Sequence, residues 1–597
     1  MSPISRRAFL AAGAAIAGGA AASPLWLASG LAAPYRASLV APAPTLPWPA
    51  ANEIVANTKV PTFPDRNFSV LDYGAKGDNS TDNTDAFARA IAAASAAGGG
   101  HVIVPSGTYV TGAVYLKSNV DFKLQGATLK FSGTASRFPI VLTRYEGIEC
   151  MNRSPMIYAY GETNIALTGT GTLDAAGTSS WNKGNDRAWL ETQVSKPPQQ
   201  RVVPGSGHTM RSTFVEPYNC DTVLIQGITL KNSMFWQFHP TLCKNVTIDN
   251  VNTDPSTAHS NTDGVDPESC DHVVIRNSNL GAHDDNVAIK SGRDTDGRRI
   301  NVPCQNLVVF DCIMNGNWGA ITCGSEQTGG IRNVYAYRCS LVGATKYALY
   351  VKSNTRRGGF SENINLDSFS GVLERSVAFV NPVYNGQTGS FPPRFGPFSI
   401  TNSTCTRAGR KAFDVSGLSS SHVHGFTVRN CDFRGVSDTS NVFSNVDGLV
   451  LVNVKINGKQ IGDPPTPEPG NRYEAENATI TAGVVESNHA GHSGSGFVNF
   501  DNAVGSAVQF AVSVAAAGTA TLRFRYANGT TTNRPLSINV NGTVVNAGLA
   551  FNGTGAWTTW QTASITAPLV AGANTVKVTA TTANGGPNLD YLEVATG

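Results

Sequence analysis

Two groups of carboxylate residues lie about one short repeat apart near the middle of the chain. Asp263 follows Asn261 in the first group, and Asp284 and Asp285 follow His283 in the second. Cleavage of a glycosidic bond needs one protonated acid at the leaving oxygen and one carboxylate that activates water or attacks carbon. Crowded carboxylates split their pKa values, so that one stays protonated while another is ionised. The three aspartates therefore predict hydrolysis of a sugar polymer.

The expected reaction requires a particular separation and orientation of the carboxylates. An acid and a base that hold a water molecule between them are roughly 6.5–9.5 Å apart, and the reaction then inverts the anomeric configuration. Adjacent strand residues point to opposite faces, so Asp284 and Asp285 share one groove only where the strand ends or bends. Gly281 is a nearby residue that permits a bend. Aspartates also cap turns and bind calcium, and for a single aspartate that interpretation would be preferred.

Three further side chains are candidates for contact with the sugar. Lys352 carries a mobile ammonium suited to a substrate carboxylate, although a solvated surface lysine is the alternative. Trp318 is suited to stacking on a sugar ring and equally to packing inside the protein. His283 is a candidate for proton transfer, with a turn-stabilising role as the alternative.

Short strands that recur at a regular spacing must position these side chains. Equivalent apolar positions are spaced by 23, 27, 34 and 27 residues and are occupied by Val223, Val246, Val273, Leu307 and Val334. Each segment alternates apolar and polar residues, which is typical of a strand with one buried face. A unit of this length without a helix predicts an all-β, right-handed parallel β-helix, whose inward-facing residues form a continuous core. Weaker copies occur at Val423 to Val428 and Leu449 to Val454.

Cysteines occupy equivalent places in successive repeats. Four of the ten, Cys220, Cys243, Cys270 and Cys304, follow this pattern. We expect a column of buried thiols acting as small apolar side chains, with disulfides as the alternative. The chain has no C-x-x-C pair, which argues against a metal site.

A helix is predicted near the start of the repeat region. Phe87, Ala90 and Ile91 have helical spacing and are followed by short strand segments. We expect this helix to cover the open end of the β-helix, where backbone groups would otherwise be unpaired.

Composition and the N-terminal residues limit the protein class. The chain has 597 residues, 61 glycines and a net charge of +3, which is too mild for a nucleic-acid partner. Residues 1–33 resemble a twin-arginine export signal, with Arg6 and Arg7 before an Ala/Gly-rich stretch and a small-residue cleavage region. An N-terminal membrane helix is the alternative. We expect residues 34–62 to be a leader and the mature protein to be secreted, monomeric and not bound to a membrane.

The motifs taken together resemble glycoside hydrolase family 28, the polygalacturonase family, over residues 63–462. The resemblance rests on Gly161 to Asp174, Asn261-Thr262-Asp263, Asp284-Asp285, Lys290 to Asp294, and Gly324-Ser325-Glu326. It implies that Asp284 is the general acid and that Asp263 and Asp285 position and activate water. It also implies that Asn261 and Arg293 contact substrate, with a structural ion pair as the alternative for Arg293.

The chain departs from the family pattern near the expected sugar sites. Trp318 stands where the family has the histidine of a Gly-His-Gly motif, and Tyr350 replaces the arginine of Arg-Ile-Lys while Lys352 is kept. His283 stands where glycine or glutamine is commoner. These changes leave the carboxylates intact and bear on the sugars bound on either side of the cut.

The tail is expected to be a separate module. Residues 463–470 are a proline-rich linker, and residues 471–597 contain short alternating runs and the hairpin signal Asn541-Gly542, which predict a β-sandwich. The two ends of this region resemble carbohydrate-binding module family 35 and its relatives. The resemblance implies a structural calcium, for which Glu474, Glu476 and Asp590 are candidate ligands. Asn588, Arg534 and Trp560 are candidate sugar contacts, and a spacer sandwich without ligand is the alternative.

These observations predict a secreted hydrolase of α-1,4-linked galacturonic acid chains that needs no cofactor for catalysis and binds plant cell wall carbohydrate through its tail. A hydrolase of rhamnogalacturonan or another decorated pectin is the nearest alternative. A β-helix lyase and a non-catalytic adhesin would share parts of the same fold. The sequence leaves endo or exo attack open, although a long insert such as Gly177 to Arg211 is able to close the groove.

Overall fold

The computed structural model describes residues 45–256, 259–462, 472–514 and 516–596. The predicted export signal, residues 34–44 of the leader and the linker 463–470 lie outside the described residues. Within the described ranges, no helix combines the length and apolar character needed to cross a bilayer. The α-helices are Pro49–Asn57, Thr84–Ala96, Arg187–Thr192 and Asp294–Ile300.

The larger domain is a stack of coils whose strands form three parallel sheets. The first sheet contains Asn67–Ser69, Gly100–Val104, Val120–Leu124, Thr163–Gly169, Asp221–Gln226, Lys244–Asp249, Asp271–Arg276, Cys304–Phe310, Ile331–Tyr337, Phe360–Asp367, Arg394–Phe395, Phe398–Thr401, Val423–Phe433 and Val446–Ile456, and Lys459–Ile461 is added antiparallel at its end. The second contains Asp78–Asp82, Gly107–Thr111, Ala127–Phe131, Thr172–Asp174, Thr229–Lys231, Asn279–Ala282, Ile313–Gly316, Ser340–Leu341, Ser370–Leu373 and Thr404–Ala408. The third contains Val114–Tyr115, Ile157–Tyr160, Val215–Tyr218, Val287–Ile289, Gly319–Gly324, Tyr347–Lys352, Ser376–Asn381, Phe413–Ser416 and Val442–Ser444.

The predicted repeat register is confirmed in the first sheet. Val223 pairs with Val246, Val246 with Val273, Val273 with Leu307, and Leu307 with Val334. All five side chains are buried in the core that runs through the stack. The fold is the predicted right-handed parallel β-helix, because one strand per coil adds to each sheet in parallel.

The cysteine prediction is also confirmed. All ten cysteines are buried free thiols, and the backbone N–H of Cys220 lies 3.4 Å from the sulfur of Cys243 on the next coil. They fill the interior as small side chains without covalent links.

The predicted helix covers the first coils. Phe87 of Thr84–Ala96 is buried with its ring 5.6 Å from that of Phe122 in the first sheet. Ala90 and Ile91 are buried in the same cluster. The apolar face of the helix therefore closes the hydrophobic column at its N-terminal end.

Two insertions leave the coils between the second and third sheets. The first is the antiparallel hairpin formed by Ile140–Tyr145 and Ile148–Arg153. The second contains the helix Arg187–Thr192. A small apolar cluster that includes Tyr145, Leu190 and Trp236 joins both insertions to the outer face of the coils.

The tail forms the predicted β-sandwich. One sheet contains Arg472–Glu474, Gly483–Glu486, Phe497–Phe500, Gly518–Ala527, Gln561–Leu569 and Asn588–Thr596, and the other contains Thr479–Thr481, Ala507–Val514, Leu536–Val540, Thr543–Leu549 and Gly572–Ala580. Asn541 and Gly542 form the predicted hairpin turn, and both have positive φ. The first strand pairs with the last, so the two ends of the module lie side by side.

Candidate active site

The three predicted aspartates lie in turns that lead into the third sheet. The strand Asn279–Ala282 ends before Asp284 and Asp285, and the next strand begins at Val287. Val265 and Val287 are bridged on neighbouring coils, and the N–H of Gly264 donates to the carbonyl of Asp285 at 2.9 Å. Asp263 and Asp285 therefore occupy equivalent positions one coil apart, and the strand ends where the sequence requires it to end.

The role predicted for Gly281 is wrong. A Cβ added at Gly281 would lie 2.6 Å from the ring of Pro255, and its φ is not in the left-handed region. Glycine is required here because Pro255 packs against the backbone, whereas the turn of the aspartates begins only after Ala282.

The aspartates converge more closely than expected. One carboxylate oxygen of each of Asp263, Asp284 and Asp285 lies within 4.8 Å of the others. Equivalent positions on successive coils are separated by about 4.8 Å, so stacking itself sets this spacing. It is shorter than the roughly 6.5–9.5 Å expected for a water-separated pair. Inversion therefore does not follow from this distance and stays a prediction.

Crowding and burial separate the protonation states of the cluster. Burial, followed by the charges of Asp263 and Asp285, raises the pKa of Asp284 well above its ordinary value. Burial also raises the pKa of Asp263 to about 6, although Lys290 and Lys352 oppose the shift. Asp284 is half-buried and reachable from solvent, while Asp263 is buried. Burial and crowding thus favour the acid form of the accessible carboxyl.

Asp285 is the member of the cluster that is paired directly with a cation. Its Oδ2 lies 2.8 Å from the Nζ of Lys352, and its Oδ1 accepts from the N–H of Gly319 at 2.7 Å. A Cβ at Gly319 would lie 2.0 Å from the hydroxyl of Thr322, so only glycine brings this N–H so close. Lys352 is 7% exposed and is not a solvated surface lysine. Its predicted contact with a substrate carboxylate stays a prediction.

A second buried lysine was missed in the sequence analysis. The Nζ of Lys290 lies 3.6 Å from Asp263, 3.5 Å from Asp266 and 3.5 Å from Glu326. Burial, and next the charge of Asp263, raises the pKa of Asp266 well above its ordinary value. Burial opposes ionisation of Glu326, but Lys290 and nearby arginines outweigh it and lower its pKa. Two ammonium groups thus already neutralise much of the negative charge that would attract a divalent cation.

Arg293 belongs to a buried ion-pair network. Its guanidinium lies 3.0 Å from Glu146, 3.1 Å from Glu191 and 3.1 Å from Glu326. Glu146 is in the hairpin turn and Glu191 is in the helix Arg187–Thr192. Arg293 is therefore a member of a structural ion-pair network, which is the alternative given in the sequence analysis. It connects both insertions to the region beside the carboxylates.

The hairpin covers the coils that precede Asp263. The hydroxyl of Tyr158 donates to the carbonyl of Leu142, and Thr143 donates to Glu216 at 2.7 Å. His239 lies completely buried beneath it. Burial opposes protonation of His239, yet the neighbouring carboxylates of Glu216 and Glu268 raise its pKa to about 9. The third sheet is closed on this side of the cluster.

The remaining predicted contacts lie around the cluster. Asn261 is half-buried and its Oδ1 accepts from Arg211 at 3.2 Å. The backbone N–H of His283 lies 3.3 Å from the hydroxyl of Thr262. Trp318 is half-buried, and its backbone N–H donates to the backbone carbonyl of Asp284 at 3.1 Å. Contact of these three residues with a sugar stays a prediction.

The three residues of the tail that are predicted to contact sugar differ in their exposure to solvent. Asn588 is 2% exposed within its strand, so its side chain is not presented to solvent. Arg534 donates to Asn502 at 3.1 Å and lies 5.5 Å from the ring of Trp557. Trp560 is half-buried and donates to the carbonyl of Ala490 at 3.0 Å.

The acidic residues of the tail fit a bound calcium. The hydroxyl of Ser493 lies 2.6 Å from Glu474 and 3.3 Å from Asp590, so these carboxylates face one another. Burial, and then the charges of Glu476 and Asp590, raises the pKa of Glu474. Glu476 Oε2 is buried without a hydrogen-bond partner, and Arg525 pairs with Asp590. Glu474, Glu476 and Asp590 would supply the hard oxygen ligands that calcium prefers.

Comparison with known proteins agrees with this geometry. The sequence profile of Glycosyl hydrolases family 28 matches residues 97–370. A crystal structure of a hyperthermoactive exopolygalacturonase from Thermotoga maritima is 35% identical, with a TM-score of 0.64, and the similarity covers 69% of this chain and 96% of that one. The chain belongs to glycosyl hydrolase family 28. The carboxylate cluster lies inside the segment that the family profile matches.

Two curated relatives extend the comparison of this family 28 chain. A probable polygalacturonase of Vitis vinifera is 29% identical over 308 residues, which are 50% of this chain and 59% of that protein. The profile of carbohydrate binding module family 35 matches residues 471–597. An exo-beta-D-glucosaminidase of Amycolatopsis orientalis is 53% identical over 131 residues, which are 22% of this chain and only 13% of that protein.

Proposed function

We propose that this family 28 chain hydrolyses the α-1,4 linkages of galacturonic acid polymers. The observation that carries the proposal is the convergence of Asp263, Asp284 and Asp285 within 4.8 Å, beside the two buried lysines. The names of the similar Thermotoga and Vitis proteins support the same substrate class.

The three carboxyl groups would have two different roles in the reaction, proton donation and activation of water. Asp284 has a raised pKa and is reachable, so it would donate a proton to the leaving glycosidic oxygen. Asp285, paired with Lys352, would accept a hydrogen bond from the attacking water. Asp263, with a pKa of about 6, would share that water once it is ionised.

The stereochemical outcome separates two mechanisms. We propose inversion through an activated water. Retention through a covalent intermediate, for which carboxyl groups stand about 5–5.5 Å apart, is the alternative. Proton NMR of the first-formed anomer from a galacturonate oligomer decides between them. Inverted product supports the water mechanism, and retained product assigns Asp263 or Asp285 as nucleophile.

We further propose that attack is at a chain end. The hairpin Ile140–Arg153 buries Tyr158, Glu216 and His239 on the coils before Asp263. A polymer therefore cannot continue along the third sheet in that direction, whereas the later coils border an open cavity lined by residues between Tyr347 and Asp414. The helix Arg187–Thr192, in the insert that the sequence analysis singled out, supports this closure through Glu191.

The product profile on defined oligogalacturonates tests both proposals. Release of one small product at constant size supports exo attack, and a ladder of intermediate lengths shows endo attack. Activity on rhamnogalacturonan alone would replace the substrate proposal, and unsaturated products that absorb in the ultraviolet would indicate a lyase. Inactivity on every pectin with binding retained would leave the adhesin alternative.

The remaining parts of the proposal concern location and attachment. The twin-arginine pattern at Arg6 and Arg7 supports export. We propose that the protein is a monomer and needs no cofactor for catalysis. We propose that the family 35 module binds plant cell wall carbohydrate and carries a structural calcium at Glu474, Glu476 and Asp590. Binding of the full chain to extracted wall polysaccharides, with and without chelator, tests this.

A further inference from the structure

A row of basic residues leads away from the carboxylate cluster along the open side of the third sheet. The carbonyl of Asp284 accepts from the N–H of Trp318, and the carbonyl of Trp318 accepts from the N–H of Lys346 at 2.8 Å. The N–H of Arg375 donates to Lys346 at 3.1 Å, and that of Arg410 donates to Arg375 at 2.7 Å. Each step is one coil. The same turn position is therefore occupied by an acidic residue, Asp284, on one coil and by basic residues on later coils.

We call Lys346, Arg375, Arg410 and Lys411 the basic ladder. Lys411 belongs to the same turn as Arg410, because its N–H also donates to Arg375, at 3.1 Å. Gly409 makes the close stacking possible, since its φ is +76° and an added Cβ would lie 2.4 Å from the backbone of Arg375. The close stacking of charges is therefore built into the backbone.

Three residues of the ladder, Arg375, Arg410 and Lys411, border an open cavity of about 590 Å³. Its floor is formed by the rings of Tyr347 and Phe379, which stack with centroids 5.1 Å apart. Its walls include Arg375, Arg410 and Lys411, together with Glu374 and Asp414. An aromatic floor beside cationic groups is suited to a sugar ring that carries a carboxylate.

The cations near the cavity are incompletely neutralised. Burial, and next the charge of Arg375, lowers the pKa of Lys346, whose Nζ lies 3.6 Å from the centre of the Trp318 ring. Arg375 and Arg410 are exposed. Lys411 has a partner, Asp438 at 3.4 Å. Two neighbouring cations that repel each other gain from an anion placed between them.

We propose that the basic ladder and the floor formed by Tyr347 and Phe379 bind the anionic sugar chain beyond the scissile bond. This inference rests on the proposed function, because it assigns the open side of the groove to the remainder of the uronate polymer. Arg375 lies three coils beyond Asp285, roughly 14 Å away along the stack. Arg375, Arg410 and Lys411 are therefore out of reach of the reacting sugar, and we expect them to bind only the more distant sugars of a long chain.

The test compares long and short substrates in the full chain. Replacing Arg375 and Arg410 together with glutamine should raise the KM for long polygalacturonate at least about fivefold, since two charge contacts are lost. The kcat on the polymer and all constants for digalacturonate should change less than twofold. Added salt should raise the wild-type KM for the polymer more steeply than that of the variant.

Controls separate this inference from the proposed function. Arg394→Gln removes an exposed arginine that pairs with Glu362 on the first sheet and should leave every constant unchanged. Equal KM values for polymer in the double variant and wild type, or an equal rise for digalacturonate, would overturn the ladder assignment. A wild-type chain inactive on all galacturonates would instead overturn the proposed function. Unchanged melting temperatures show that the variants are folded.

Discussion

Lys352 and Asp285 form a buried ion pair, with 2.8 Å between Nζ and Oδ2, although 67 residues separate them in the sequence. The last strand residue of Tyr347–Lys352 thereby supplies the counter-charge for a carboxylate two coils earlier. Burial opposes the charge of Lys352, yet Asp285 and the nearby tyrosines raise its pKa well above its ordinary value. The pair places an ammonium group directly against one member of the cluster, Asp285.

Lys352→Met should leave Asp285 buried without its counter-ion. We expect a loss of unfolding free energy of about 3–5 kcal/mol and a shift of the acid limb of the kcat/KM profile to higher pH. Chemical denaturation and pH-rate measurements check both. The double variant Lys352→Met/Asp285→Asn should recover much of the stability, and failure to do so would show that Lys352 acts mainly through its packing.

Asp284→Asn removes the proton donor and keeps the shape of the side chain. We expect kcat on polygalacturonate to fall by about 10²–10⁴-fold while binding of trigalacturonate, measured by calorimetry, is retained. Asp311→Asn is a matched control, because Asp311 forms a surface ion pair with Arg338. Residual activity within tenfold of wild type would contradict the assignment of Asp284 as the acid.

Activity should depend on the ionisation of Asp263. Because its pKa is about 6, kcat/KM should fall as the pH drops below about 6. The raised pKa of Asp284 predicts a second decline at higher pH, where the acid loses its proton. Initial rates from pH 3 to pH 9 in buffers of constant ionic strength measure the profile. An acid limb near pH 4 would show that another group controls it.

Asp263 should also reduce stability at neutral pH. Its folded pKa of about 6 exceeds the ordinary value of 3.8, so the folded protein holds the proton more tightly and loses stability as the pH rises through this window. Asp263→Asn should therefore raise the melting temperature at pH 7, corresponding to about 1–3 kcal/mol, and leave it unchanged at pH 3.5. Destabilisation at pH 7 would show that the Lys290 contact outweighs the burial of the charge.

Calcium should stabilise the tail module. We expect a chelator to lower one thermal transition of the full chain by several degrees and added calcium to restore it. Glu476→Gln should abolish this response, because its buried oxygen is then a neutral ligand. Glu486→Gln is the control, since Glu486 is bonded to Asn499 instead. A chelator effect that persists in Glu476→Gln would place the ion elsewhere.

Local pattern was enough to predict the coil stack and the carboxylate cluster. Val223, Val246 and Val273 are placed by alternation and spacing, and the convergence of Asp263 with Asp285 follows once one coil per repeat is assumed. Gly281 was misjudged, because its need for a small side chain arises from Pro255 on the neighbouring coil.

The ion pairs that surround the carboxylate cluster could not be predicted from local sequence patterns. Arg293 meets Glu146 across 147 residues, and the contact depends on how a hairpin folds back over later coils. Lys290 and Glu326 were noticed only as parts of a motif, whereas their charges decide the pKa values of the aspartates. The Lys-Ser-Gly-Arg pattern before a short helix was the one signal that a buried charge network would form there.

The thiols of the coil stack give the two domains separate reporters. All ten cysteines lie between positions 150 and 431, and none is in the tail. Burial raises the pKa of those such as Cys304 and Cys312, and alkylating reagents attack the thiolate, so labelling waits until the stack opens. The rate of thiol modification thus reports only the unfolding of the coil stack and does not respond to unfolding of the β-sandwich.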